Sequence, residues 1–410
     1  MTDAARKSIT YRHEMWRAVT AGILESAGGT FLLLIAVRWF HAGMLAKALV
    51  AGAGSFGLLL SPLVVAKVTT AGWAPSRAAA WLMMAGSFAF LVAGALHAVQ
   101  FCFIAGSVIG IAAPAAIVPL LTQMYQENYP ERERGRLFAR TVMIRIAAAA
   151  LFSQLAGGFL NTDLRRFPWL LILFAAATGL AAFCLWRCPT SPIPRDEGTH
   201  PLRALRFARD DALFRRTLIC WMLMGFANLM MLPLRVEYLA GPQAAQHFTV
   251  GTIALLTGVV PNLARLVVSP IWGHLFDRMN FFALRVTLNV GFALGIISFF
   301  TSDSMAGMMF GAIIFGISNA GGDVAWSLWV TKFAPPGRVA DYMAVHTFLT
   351  GVRGVLAPVA AFYLIARWPV GWLAALASGL IIVATLLLLP EIRWGRKSPG
   401  ASALVEEVQD

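Results

Sequence analysis

The sequence predicts an all-α polytopic membrane protein of twelve transmembrane helices in two six-helix pseudo-repeats, and three observations carry that expectation. Of 410 residues, 59% are hydrophobic and only 13% charged, against about 45–50% and about 25% in soluble domains. A chain this apolar cannot hide its surplus in one core. Runs such as Phe88 to Leu96 and Leu380 to Leu389 belong to segments near the spanning length of about 20 residues. Lys and Arg concentrate on alternate loops, and stretches of the first half recur in the second at a fixed offset.

The elements follow in order. Residues 1–16 carry Arg6, Lys7, Arg12 and Glu14 without a short apolar core and cleavage site, and are expected as a lead-in rather than a signal peptide. Apolar stretches bounded by charge, Pro or Gly then fall at 18–37, 45–66, 78–96, 100–124, 137–160 and 168–187, so residues 17–187 form the first half. Residues 188–216 hold Pro189, Pro192, Pro194 and Pro201 and a basic run ending in Arg206, Arg209, Arg215 and Arg216, the composition of a linker. Six further stretches at 217–239, 249–275, 283–302, 306–331, 341–365 and 370–390 make residues 217–390 the second half, and 391–410 a tail.

An even number of spans returns both termini to one side. Loops on that side hold 24 Lys and Arg against 6 on the other, with Arg145, Arg265 and Arg353 inside spans. That bias places both termini in the cytoplasm of an inner-membrane protein. The net charge of +13 is therefore a topology signal and no argument for nucleic acid. Cys102, Cys184, Cys188 and Cys220 lack zinc-like spacing and read as small hydrophobes.

The halves repeat. Leu58 to Val65 reads LLLSPLVV, and 208 residues later Leu266 to Gly273 reads LVVSPIWG, with Arg77 and Arg285 at the same offset. Tyr129 with Arg134 and Phe333 with Arg338 recur at 204. Two six-helix halves in the same orientation are a transporter architecture with the substrate site between them near mid-membrane.

Gly273, Leu275, Asp277 and Arg278 form G-x-L-x-D-R at the end of the eighth span. This resembles the signature loop of the major facilitator superfamily, and the resemblance covers the whole chain. Tyr129, Pro130, Arg134, Gly135 and Arg136, and Gly351, Arg353, Gly354 and Pro358, are similar to bacterial members. In the first half Val65, Thr69 and Thr70 replace the Gly, Asp and Arg usual there. The resemblance implies gating contacts by Gly273, Asp277, Arg278, Arg134 and Arg338, since a carboxylate near a helix N-terminus or an arginine is favourable. The bland alternative is a solvated turn. In the fifth span Ser153 to Gly158 stands where proton-coupled exporters carry G-P-x-x-G-G, but the first Gly and the Pro are missing, so Gly157 and Gly158 read as close-packing positions.

A charge at the centre of a span costs at least about 2.5–3.5 kcal/mol, so Glu25, Arg145, Arg265, Asp323 and Arg353 need partners or a watery path. Glu25, Arg145, Asp323 and Arg265 lie at a similar depth, about 12 Å from the cytoplasmic ends of their predicted spans at about 1.5 Å per residue. The resemblance makes the first span a neighbour of the fifth and the eighth of the tenth, which implies the pairs Glu25 with Arg145 and Asp323 with Arg265. Protonating the acid would free the arginine for an anionic substrate. The alternative is two permanent salt bridges fixing helix packing.

Asp323 shares a helix face with Asn319, Trp326 and Ser327. The resemblance makes the first, fourth, seventh and tenth spans line a cavity, which adds Asn228, Gln123 and Tyr125 as substrate-binding candidates beside Arg145, Arg265, Arg353, Asn319 and Trp326. On the eleventh span His346, Thr350 and Arg353 form one polar stripe, either a proton path through His346 or a static seam. Glu25, Asp323 and His346 are thus the proton-coupling candidates.

Gly52, Gly54 and Gly57 match G-x-G-x-x-G inside an apolar span with no preceding strand, and no P-loop or zinc pair occurs. The expectation is a secondary transporter rather than an enzyme, without a cofactor, acting as a monomer in the bilayer. It would move a small organic anion or zwitterion with protons. Proton-coupled export of amphipathic drugs is the alternative, and a non-transporting membrane scaffold is a reading from another class.

Overall fold

Twelve helices among the described residues are long and apolar enough to cross a membrane. The computed structural model describes residues 2–192, 205–241, 248–332, 334 and 339–394. The spans are α1 (Asp3–Arg38), α2 (Ala53–Ala71), α3 (Pro75–Ala95), α4 (Gln100–Asn128), α5 (Arg132–Thr162), α6 (Leu164–Arg187), α7 (Ala212–Ala240), α8 (Val250–Phe276), α9 (Phe281–Thr301), α10 (Met305–Trp326), α11 (Tyr342–Ile365) and α12 (Val370–Ile392). No strand occurs among the described residues.

Two boundaries differ from the sequence expectation. Residues 3–16, expected as a lead-in, are the first turns of α1, with the Thr2 hydroxyl accepting from the Ala5 amide at 3.4 Å and Asp3 in the first turn. The stretch 45–66 is broken at Gly52 into a short helix Met44–Ala51 and α2. A Cβ at Gly52 would lie 3.1 Å from the Ala48 carbonyl and 3.4 Å from that of Gly354, so glycine permits a close backbone approach there.

The repeat is visible in the packing. Helix α3 packs on α4 and α6 as α9 packs on α10 and α12, and α2 on α4 as α8 on α10. Gly106 of α4 presses on the Ala89 backbone of α3, and Gly311 of α10 lies against the Phe299 and Gly295 backbone of α9. Dispersion between closely approaching helices replaces the hydrophobic drive that lipid cannot supply. Trp73, Trp169, Trp186, Trp368 and Trp372 are exposed at span ends, where indoles favour the interface.

By contacts the chain divides into two compact units, and the cut does not follow the linker. Unit 1 is Met1–Thr199, Pro233–Val259 and Gly354–Phe362, and unit 2 is His200–Leu232, Val260–Arg353 and Tyr363–Asp410. The linker expected at 188–216 and the tail at 391–410 lie partly outside the described residues.

Unit 1 contains the contacts that join the first six spans to the far ends of α7, α8 and α11. Arg38 donates to the carbonyls of Phe248 at 2.7 Å, Ala240 at 3.3 Å and Leu239 at 3.4 Å. Lys47 pairs with Glu237 at 2.5 Å, and the Gly251 amide donates to Asn161 at 3.2 Å. Two π-helical turns meet: Thr30 in Ala27–Phe31 and Thr257 in Leu255–Val259 share a hydroxyl hydrogen bond of 2.9 Å. Such turns widen a helix by one residue and concentrate at functional sites. Gly157 packs against Ala254, as a close-packing position should, whereas Gly158 faces open space.

Candidate functional site

Both acid–base pairs implied for the spans are formed. In unit 1, Arg145 Nε lies 3.2 Å from Glu25 Oε2, with side chains 34% and 30% exposed. Helices α1 and α5 come together there because residue 22 is glycine against the Arg145 backbone, and because the Ser26 hydroxyl donates to the Ala149 carbonyl at 2.9 Å. Ser153 in turn donates to Ser26 at 3.0 Å.

In unit 2, Arg265 Nε donates to Asp323 Oδ2 at 2.7 Å, and its Nη2 lies 2.5 Å from the same oxygen. A third nitrogen, Nη1, donates to Asn262 Oδ1 at 3.3 Å. The arginine is 5% exposed and the aspartate 35%, so the accessible member is the carboxylate. Asn319 is half-buried one turn before Asp323, and Trp326 one turn after it has its ring 5.6 Å from that of His346.

The stripe on α11 is buried within unit 2. His346 is fully enclosed, its ring 5.2 Å from Trp221 and 5.1 Å from Trp329. Arg353 donates Nη1 to the Trp221 carbonyl. Asn228 of α7 and Gln123 of α4 are half-buried, and Asn228 Oδ1 has no hydrogen-bond partner among the described residues.

Tyr125, expected among the cavity-lining side chains, is instead locked in a cluster of unit 1 that the sequence reading missed. Arg17 donates to both Glu14 oxygens at 2.6 and 2.8 Å and to the Tyr125 hydroxyl at 2.7 Å, and that hydroxyl donates to Glu14 at 2.5 Å. Glu14 is fully buried. The available signal was the i,i+3 acid and base on a helix that continues outward past the apolar stretch. Tyr129 stacks on Tyr125 at 5.6 Å and 8°. Burial, and next the charge of Glu14, push the Tyr129 hydroxyl and the Cys188 thiol upward, so both stay protonated.

The expected gating residues divide. Gly273 lies inside a helix that continues to Arg278, so the signature element is helical rather than a loop. Arg278 is exposed, and the Asp277 side chain lies outside the described residues, as do Phe333 and Arg338. Arg134 donates to the carbonyls of Gln126 at 3.1 Å and Tyr129 at 3.3 Å, capping the end of α4.

Arg285 was the second omission. Read from sequence as a loop cation, it is 2% exposed in α9 with its Cζ 3.7 Å from the centroid of the Trp221 ring.

No family model and no curated protein matches the sequence. Solved structures do match over nearly the full length. The nucleoside transporter NupG aligns with a TM-score of 0.72 and 12% identity over 94% of this chain and 99% of its own. A D-xylose–proton symporter aligns with 0.73 and 14% over 96% and 98%. A human organic anion transporter aligns with 0.65 and 16% over 95% and 100%. The fold is that of the major facilitator transporters: twelve transmembrane helices in two six-helix repeats.

Proposed function

We propose that the chain is a secondary active transporter that moves a small organic anion or zwitterion across a bacterial inner membrane by alternating access, coupled to protons. One observation supports this reading above the others. Each six-helix half holds an arginine–carboxylate pair within its spans, and in each the carboxylate is about one-third exposed, 30% for Glu25 and 35% for Asp323.

A proton that reaches such a carboxylate cancels its attraction for the arginine and leaves a guanidinium fork open to a substrate carboxylate. Deprotonation restores the internal pair. The proton-linked groups are Glu25 and Asp323, since among the described residues His346 has no hydrogen-bonded neighbour through which a relay would pass. A fold shared with a D-xylose–proton symporter and an organic anion transporter is consistent with this solute and ion. The excess of Lys and Arg on one set of loops supports cytoplasmic termini. Thr30 on Thr257, Arg38 on the α7 end and Lys47 on Glu237 would be the seal that alternating access breaks.

The test is uptake of a panel of carboxylates and zwitterions into proteoliposomes, with and without an imposed pH gradient. At least one solute is expected to accumulate severalfold faster with the gradient. Asp323→Asn should abolish the gradient response while leaving downhill exchange, and Glu25→Gln should reduce it. An unchanged gradient response in Asp323→Asn overturns the coupling.

A further inference from the structure

Unit 2 gathers a second set of cations that neither ion pair uses. Arg285 of α9 lies flat on the Trp221 ring of α7, and Arg353 of α11 holds the carbonyl of that same tryptophan. Arg353 fits there because residue 225 is glycine: a Cβ at that position would collide with the guanidinium. His346 stands two turns before Arg353 among the indoles of Trp221, Trp326 and Trp329. Three basic side chains, each at least nine-tenths buried, therefore share one aromatic nest.

No carboxylate among the described residues answers them. Asp323 is engaged by Arg265, Glu391 by Arg216, and Asp211 accepts from the Tyr342 hydroxyl. Among the described residues the donors without a partner are Nη1 and Nη2 of Arg285, Nε of Arg353, the Trp221 indole nitrogen and the Thr350 hydroxyl, and neither ring nitrogen of His346, one of which is a donor in the neutral imidazole, has a partner. A guanidinium with both terminal nitrogens open is the fork that takes a carboxylate through two parallel hydrogen bonds. Of the flanking indoles Trp221 and Trp329 are buried and Trp326 is half-buried, so it is Trp326 that would pack against a flat ring. Because protein atoms cover the nitrogens, an anion would enter only as the nest opens locally, and the dry surroundings would then strengthen its contact with the cations.

We infer that Arg285 and Arg353, assembled on Trp221, form an anion site that receives the carboxylate of a planar aromatic acid. The site goes beyond the transport reading, because it requires neither acid–base pair.

The test is calorimetric binding, with thermal unfolding as a second readout, on the purified full-length protein with benzoate, indole-3-acetate, acetate and inorganic phosphate. Benzoate or indole-3-acetate is expected to bind the wild type and raise its midpoint, and Arg77→Gln, a substitution at the exposed repeat mate of Arg285, should bind within about twofold of wild type. Arg285→Gln, and Gly225→Ala, which displaces Arg353, should each weaken binding by about tenfold or more, and Arg285→Lys should recover part of it. Binding by Arg285→Gln as tight as wild type overturns the site, as does a wild type that binds phosphate or acetate alone, or no anion. If Arg285→Gln does not fold, Gly225→Ala and Arg353→Lys decide by the same criterion. Loss in Arg265→Gln with retention in Arg285→Gln assigns the anion to the ion pair, overturning this site while the transport reading stands. Proton-insensitive uptake with aromatic-acid binding intact removes the coupling and leaves this site.

Discussion

Arg77 and Arg145 of the first repeat have counterparts 208 residues on in Arg285 and Arg353, and the two repeats treat the same cation in opposite ways. Arg77 is exposed, its guanidinium 5.7 Å from the Trp186 ring, and Arg145 is paired with Glu25. A third cation of unit 1, Arg17, is answered by Glu14 and Tyr125. Arg285 and Arg353 are buried, and among the described residues neither meets a carboxylate. An unpaired buried charge costs several kcal/mol. In unit 1 that cost is cancelled within the fold. In unit 2 it is left standing, and an incoming anion is what would cancel it. Inherited position therefore fixes where an arginine stands, and its neighbours decide whether it holds the fold together or waits for a ligand.

The largest effect should come from breaking the compensated side of this comparison. Glu14→Gln leaves Arg17 in place without its anion, and a buried pair that loses one partner costs about 3–5 kcal/mol. Glu14 has a side chain only 1% exposed, so solvent cannot replace it. Unfolding in detergent, followed by helical ellipticity against denaturant, reads the loss. A change below about 1 kcal/mol, as for an exposed pair, would mean that Arg17 is hydrated and that the contrast between the units is false.

The same residues show where sequence is informative and where it is not. The spans were legible because lipid demands long apolar helices, and a charge inside an apolar run demands a partner, but that Glu25 meets Arg145 and Asp323 meets Arg265 was implied only by the resemblance, which makes the first span a neighbour of the fifth and the eighth of the tenth. Glu14, Arg17 and Arg285 were not legible in this way. They lie where hydropathy falls, and hydropathy marks the edge of the lipid rather than the end of the helix. Helix α1 runs outward to Asp3 and buries Glu14 against other helices. Arg285 was counted as a loop charge although its offset from Arg77 put it one turn inside α9. Its burial depends on Trp221, from another helix, which no local pattern could supply. The contact of Thr30 with Thr257 in unit 1 was unread for a related reason: both are single small polar residues in apolar runs.

The uncompensated side is tested by a substitution expected to stabilise. Arg285→Met keeps the length and apolar stem of the side chain and removes the charge. It should raise the stability of the ligand-free protein by about 1–3 kcal/mol, the scale of an unsatisfied buried polar group. A rise in the thermal midpoint without ligand, together with loss of aromatic-acid binding, would show that the fold tolerates this cation for the sake of an anion. A fall of similar size would show that its contact with Trp221 outweighs its burial and place it with the structural cations of unit 1.

The smallest effect sharpens the comparison most, because it makes the same substitution at the repeat mate. Arg77→Met removes an exposed guanidinium from the face of Trp186, and a solvated cation–π contact is worth about 0.5–1 kcal/mol. Arg77 already has water for its charge, so nothing is regained by deleting it, and the midpoint should fall slightly where Arg285→Met makes it rise. Arg77→Lys, which keeps a cation over the ring, should recover most of that small loss. Opposite signs for one substitution at two positions 208 residues apart can arise only from surroundings, since residue type and place in the repeat are the same. Equal signs would mean that depth in the bilayer, rather than the presence or absence of a neighbouring anion, governs both arginines.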